Sequence, residues 1–214
     1  MRPARTLAAL VGLGTLAAAL WWRKNPSACP YGQRFWVEAP HPGITRKRLT
    51  EVLEPRAGER ILEIGPGTGY YTFALAEQVG SGQVDVFDIQ QEMLDHVMRE
   101  ANRRGVTNVR PALGDAQSLP YRDDSFEAVV LVTVLGEIPD QERALREIAR
   151  VLRPGGRLVV GELFGDPHMV TSGKVRERAG RAGLSMVRRA GSPLAFFARL
   201  EKAPAAVASP QPQA

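Results

Sequence analysis

The sequence predicts an α/β domain built on a mostly parallel sheet with helices on both faces. Three observations carry this: apolar strand-like runs alternate with helix-spaced segments, one run enters a glycine-rich loop, and another is apolar enough to be buried on both sides. At 214 residues the chain can bury a sizeable core without disulfides or metals. A single cysteine, Cys29, excludes an internal disulfide and a cysteine-cluster zinc site. The scattered His41, His96 and His168 make a histidine-built metal site a poor fit.

Along the chain, residues 60–64 (RILEI) read as a strand before glycines, and residues 71–79 as a helix. Residues 83–88 (QVDVFD) form the second strand. Residues 92–104 form a helix with Met93, Leu94, Val97 and Met98 on one face, ended by Gly105. Residues 108–113 and 128–134 are strands three and four. Residues 140–152 form a helix stopped by Arg153-Pro154-Gly155-Gly156, and 157–162 a fifth strand. A helix over 173–182 precedes two strands, 185–189 and 195–201, that can close the sheet as a hairpin.

The ends differ from the middle. Residues 6–22 (TLAALVGLGTLAAALWW) carry no charge and are flanked by Arg2, Arg5, Arg23 and Lys24. As a helix they would be about 26 Å long, against a hydrocarbon core of about 30 Å. We expect residues 1–24 to be a membrane anchor, with Trp21 and Trp22 at the interface. A cleaved signal peptide or a buried core helix are the alternatives. Residues 25–44, rich in proline and aromatics, are expected to connect and to help cover the substrate. Residues 45–202 form the domain, and 203–214 are expected to be disordered. The formal charge is +5 with a pI near 9.8. Two basic ends, each of net +6, surround a middle of net −7 over residues 61–170. A basic stripe on the middle, as nucleic acid would need, is absent.

The sharpest motif is Leu62-Glu63-Ile64-Gly65-Pro66-Gly67-Thr68-Gly69-Tyr70. Its G-x-G-x-G spacing differs from the G-x-G-x-x-G of dinucleotide sites, and Glu63 suits a cationic amine better than a pyrophosphate. Asp88 ends the second strand, where an acid can accept both hydroxyls of a ribose; a helix-start charge is the alternative. Asp115, in Leu113-Gly114-Asp115-Ala116, can read an adenine edge or form an Asx turn.

With these residues in place the chain resembles the class I S-adenosylmethionine-dependent methyltransferases, in the small-molecule branch of ubiquinone/menaquinone type. The matching pieces are LEIGPGTGYYT (62–72), VDVFDIQQEML (84–94), GDAQSLPYRDDSFEAVV (114–130) and LRPGGRLVVGE (152–162). The resemblance implies a Rossmann-like seven-stranded sheet with a reversed last strand, and S-adenosyl-L-methionine as cofactor. It implies that Glu63, Gly65, Gly67 and Gly69 hold the methionine part and that Asp88 holds the ribose. It further places Ile89 and Met93 near the adenine, Asp115 and Ala116 at the adenine amino edge, and Thr133 next to the sulfonium. The segment after strand four lacks the Asn-Pro-Pro-aromatic pattern of amine-modifying relatives, which disfavours methylation of nucleic-acid bases.

Methyl transfer from a sulfonium is a direct displacement, so the protein mainly aligns the reactants and excludes water. An alcohol, amine or carbon acceptor needs a base. The candidates are Glu137, His168 and His41, with a helix-start role for Glu137 and packing roles for the histidines as alternatives. The substrate cover is sought in residues 31–44, with Tyr31, Phe35 and Trp36, and in 164–172. The expected protein is an anchored enzyme, its domain facing the cytoplasm, that methylates a lipophilic small molecule such as a quinone, lipid, phenol or thiol. A nucleic-acid methyltransferase and a non-catalytic cofactor-binding module are the competing readings.

Overall fold

The structure, a computed structural model, describes residues 26–33 and 43–205. The expected N-terminal hydrophobic helix, Phe35, Trp36, His41 and most of the expected tail lie outside the described residues. Among the described residues no helix is long and apolar enough to cross a membrane.

The chain forms helix α1 (Arg46–Leu53), then strand β1 (Arg60–Ile64), α2 (Thr72–Val79), β2 (Gln83–Asp88) and α3 (Gln91–Arg104). There follow β3 (Val109–Leu113), β4 (Phe126–Val132), α4 (Gln141–Val151), β5 (Leu152–Leu163), α5 (Ser172–Arg181), β6 (Leu184–Ser192) and β7 (Ala195–Lys202). The seven strands make one sheet in the order β3-β2-β1-β4-β5-β7-β6. The first five are parallel, and β7 runs antiparallel to both β5 and β6.

Alternation along the strands sorts side chains into two cores. Val129, Leu131, Leu158 and Val160 pack with Leu145 and Ile148 of α4 and Val175 of α5 on one face. Ile61, Val84, Val86, Ala128 and Val130 pack with Leu49 and Val52 of α1, Leu75 of α2 and Leu94 of α3 on the other. Both faces are covered, so β4 has no polar side to show, as its sequence predicts.

Strand ends shift by a few residues, as for β4 and β6, and two larger differences from the sequence expectations stand out. β5 starts at Leu152 rather than residue 157, because Leu152 pairs with Phe126 before a register shift brings Arg157 beside Ala128. The Pro-Gly-Gly stretch therefore bulges within the strand instead of preceding it. Helix α1 was not foreseen. Its Thr45 caps the first turn by accepting a hydrogen bond from the Arg48 amide, and it buries Leu49, Val52 and Leu53.

Candidate functional site

A cavity of about 340 Å³ opens at the carboxyl ends of β1, β2 and β4. This is where open α/β sheets hold ligands, at the point where strand order reverses between β1 and β4. Of the residues singled out from the sequence, Gly65, Gly67, Asp88, Ile89, Met93, Asp115, Ala116, Thr133 and Glu137 line it. Glu63, Gly69 and His168 do not.

The glycine loop follows β1 directly. Gly65 has φ of 68°, and a Cβ there would collide with the Val134 side chain. The loop thus approaches the segment after β4 more closely than any other residue would allow. Glu63 is buried and turned toward α2, where its Oε2 accepts a hydrogen bond from the Thr72 hydroxyl at 2.6 Å. Burial pushes its pKa up to about 8, only partly offset by that hydrogen bond. Gly69 borders a second, open depression instead, beside Tyr70, Arg46 and Arg99.

Asp88 closes β2. Its Oδ1 accepts the Gln90 amide at 2.9 Å, and burial raises its pKa. Ile89 is 59% exposed while Met93 is buried, so the cavity wall behind Asp88 is apolar. Gly114 completes that wall, since a Cβ at that position would press on the Phe87 ring. The Asx turn weighed for Asp115 is present: Oδ1 accepts from the Gln117 amide and Oδ2 from the Gln117 side chain, both at 2.8 Å.

Thr133 stands at the end of β4 with φ of +55°. A β-branched residue there is strained by about 1–3 kcal/mol, and such strain gathers at functional sites. Its amide donates to the Gly161 carbonyl at 2.8 Å, which fixes the distorted residue to β5. A single 3-10 turn, Leu135–Glu137, then carries Glu137 onto the cavity wall. Burial, with the nearby Asp166 and Asp88 carboxylates, pushes the Glu137 pKa up to about 8 against a backbone hydrogen bond from Cys29. His168, by contrast, is buried behind this turn: a Cβ on Gly136 would collide with the His168 carbonyl. The histidine does not line the cavity.

One wall comes from the 25–44 segment, and what sequence reasoning missed is the residue that holds it. Residues 26–29 line the cavity although they precede the domain. Gln90 holds them: its Nε2 donates to the Cys29 carbonyl at 3.0 Å, and its Oε1 accepts the Tyr31 amide at 3.1 Å. The Tyr31 hydroxyl lies 3.3 Å from His96 Nδ1 and adds a second tie to α3. No local spacing could reveal contacts between residues about sixty positions apart. Behind the cavity, Glu162 is fully buried, with Oε2 accepting the Val170 amide and Oε1 without a hydrogen bond. Among the described residues no group of acids, histidines and cysteines could hold a metal ion.

The cavity therefore offers a strand-end carboxylate, an apolar slot, a close glycine backbone and a strained threonine within one enclosure. Such a set suits a ligand that carries vicinal hydroxyls, a flat apolar ring and a positive centre. Residues 61–156 match the family described as a methyltransferase domain. A demethylmenaquinone methyltransferase of Lactobacillus johnsonii is 39% identical over 119 residues, 55% of this chain and 49% of that protein. The ubiquinone/menaquinone biosynthesis C-methyltransferase UbiE of Azotobacter vinelandii is 41% identical over 132 residues, 60% of this chain and 52% of that protein. The chain thus spans about half the length of the curated relatives it matches. In fold it is similar to a SAM dependent methyltransferase from Aquifex aeolicus, with a TM-score of 0.74 at 19% identity, over 81% of this chain and 99% of that one. Residues 61–156, which hold the glycine loop, Asp88, Asp115, Thr133 and Glu137, thus carry the match to a methyltransferase domain.

Proposed function

We propose that the protein transfers a methyl group from S-adenosylmethionine to a lipophilic small molecule of quinone type. The observation that carries this is the single cavity joining the Gly65–Gly67 loop, Asp88, Thr133 and Glu137. The quinone class rests on the relatives' activities, as their names state them.

In this reading Asp88 accepts the ribose hydroxyls, and Ile89, Met93 and Ala116 enclose the adenine. Asp115, held in its Asx turn, shapes the loop at the adenine edge. Glu63 and the glycine loop bound the methionine end. A buried carboxyl at a pKa near 8 ionises more readily once a cation sits nearby, which couples Glu63 to the cationic ligand. The cofactor supplies an activated methyl group, so the chain's own work is alignment and exclusion of water. Thr133 fixes the backbone at the junction of cofactor and acceptor space. A ring carbon that gains a methyl group must lose a proton, and Glu137 is placed to receive it. Its pKa of about 8 suits a base working near neutral pH. Residues 26–29 complete the acceptor wall. The apolar residues 6–22 anchor the chain in the membrane, where a lipophilic acceptor resides, with the domain on the cytoplasmic side.

The test uses the full chain with isotopically labelled S-adenosylmethionine and a membrane lipid extract. Label recovered in a quinone fraction is expected. Label in another lipid overturns the acceptor class, and absence of cofactor binding in calorimetry overturns the enzyme.

A further inference from the structure

We infer that the carboxyl-end rim of the sheet docks onto a lipid bilayer, so that the cavity opens toward the membrane. This rests on the anchored reading above and adds a surface to it.

Among the described residues five large apolar side chains are exposed: Ile89, Leu113, Phe164, Val187 and Leu194. Single exposed apolar residues are ordinary, but four of these five share one end of the sheet. Ile89 follows β2, Leu113 ends β3, Phe164 follows β5 and Leu194 sits in the β6–β7 turn. Phe164 is 69% and Leu194 56% exposed, and the two are tied by a hydrogen bond from the Phe164 amide to the Leu194 carbonyl at 2.6 Å. Leu113 lies on edge strand β3 and Leu194 beside the opposite edge, so the apolar points span the sheet. Val187 lies in the middle of β6, away from that end of the sheet, and serves as a control.

Chain continuity says what covers this rim. Residues 26–29 are fixed at the cavity through Gln90, and Trp22 ends the apolar run only four residues before Pro26. Four residues span at most about 14 Å when fully extended. If residues 6–22 enter a bilayer, the cavity mouth is therefore held at its surface. Phe164, Leu194 and Leu113 then bury apolar area in the interface, as membrane-bound surfaces do. A lipophilic acceptor held in the same bilayer reaches Glu137 without crossing water.

The experiment uses the full chain with Cys29→Ser and single substitutions Leu113→Cys, Phe164→Cys, Leu194→Cys or Val187→Cys, each bearing a nitroxide. The protein is bound to vesicles of phosphatidylethanolamine and phosphatidylglycerol, and accessibility to oxygen and to a nickel chelate is read by electron paramagnetic resonance. Labels at 113, 164 and 194 should be open to oxygen and closed to nickel, and the label at 187 open to nickel. Nickel access at all four positions on vesicle-bound protein overturns the docking face and leaves the anchor standing. Closure to both reagents assigns the rim to a protein contact and overturns the proposal. A chain that fails to sediment with vesicles overturns the docking face and the anchor together, while the methyl-transfer assay judges the enzyme separately.

Discussion

At the amino end of the sheet, Glu59 is buried against the Arg157 guanidinium, with both carboxylate oxygens engaged at 2.6 and 3.0 Å. Asp85 pairs there with Arg60, Glu127 with Arg153, and Asp124 with Lys202. At the carboxyl end, Glu63, Asp88, Asp115, Glu137, Glu162 and Asp166 have no lysine or arginine partner among the described residues. Their hydrogen bonds come from amides and one hydroxyl. The two ends use the same residue types for opposite purposes. One end neutralises its acids to stabilise the fold. The other leaves its acids without a cationic partner and buries Glu63, Asp88 and Glu162 among them, which costs stability and leaves their charge for a ligand.

Breaking the amino end should cost stability and spare the ligand. Arg157→Ala leaves Glu59 buried without its partner and should destabilise the chain by about 3–5 kcal/mol. Denaturant unfolding measures this, and cofactor affinity in the surviving folded fraction should be unchanged. Breaking the carboxyl end should do the reverse. Asp88→Ala removes two hydrogen bonds to a charged acceptor and should cost binding about 3 kcal/mol, on the order of 100-fold. Calorimetry at constant stability checks it; unchanged affinity would remove the ribose assignment.

Two smaller effects sharpen the contrast. Glu63, Glu137 and Glu162 each have pKa values raised to about 8 by burial. The unfolded chain releases these protons near pH 4.5 and the folded chain only near 8. Folded protein therefore holds more protons in that window, and stability falls as pH rises from 4.5 to 8. Glu162→Gln should flatten this slope and stabilise the ligand-free chain by up to about 4 kcal/mol at pH 8, with little change at pH 4.5. Thermal unfolding across pH reads both. Finally, Thr133→Gly relieves the positive φ and should stabilise the fold by about 1 kcal/mol while slowing methyl transfer. A destabilised variant would show that Thr133 carries no strain.

Much of this layout was legible in the chain. The buried strands announced themselves because both faces are apolar, and the glycine loop because its spacing permits only a tight turn. Asp88 and Asp115 were legible as acids ending strands. Helix α1 was overlooked because its Arg-Lys-Arg start masks the Leu49, Val52, Leu53 stripe, although Thr45 offered a capping signal. His168 could not be separated from a cavity residue by sequence, since what removes it is the packing of its carbonyl on Gly136. The tie between Gln90 and the 26–31 segment was out of reach for a different reason: its hydrogen bonds join residues about sixty positions apart.

That last contact has a further consequence. Residues 26–29 are the part of the cavity wall supplied from outside the span between α1 and β7, and they hang from Gln90 by hydrogen bonds to main-chain groups. Main-chain bonds do not inspect side chains, so this wall can change its residues without losing its place. On the proposed function, the acceptor side of the cavity can diversify at these four positions while the sheet that carries Asp88 and the glycine loop stays as it is.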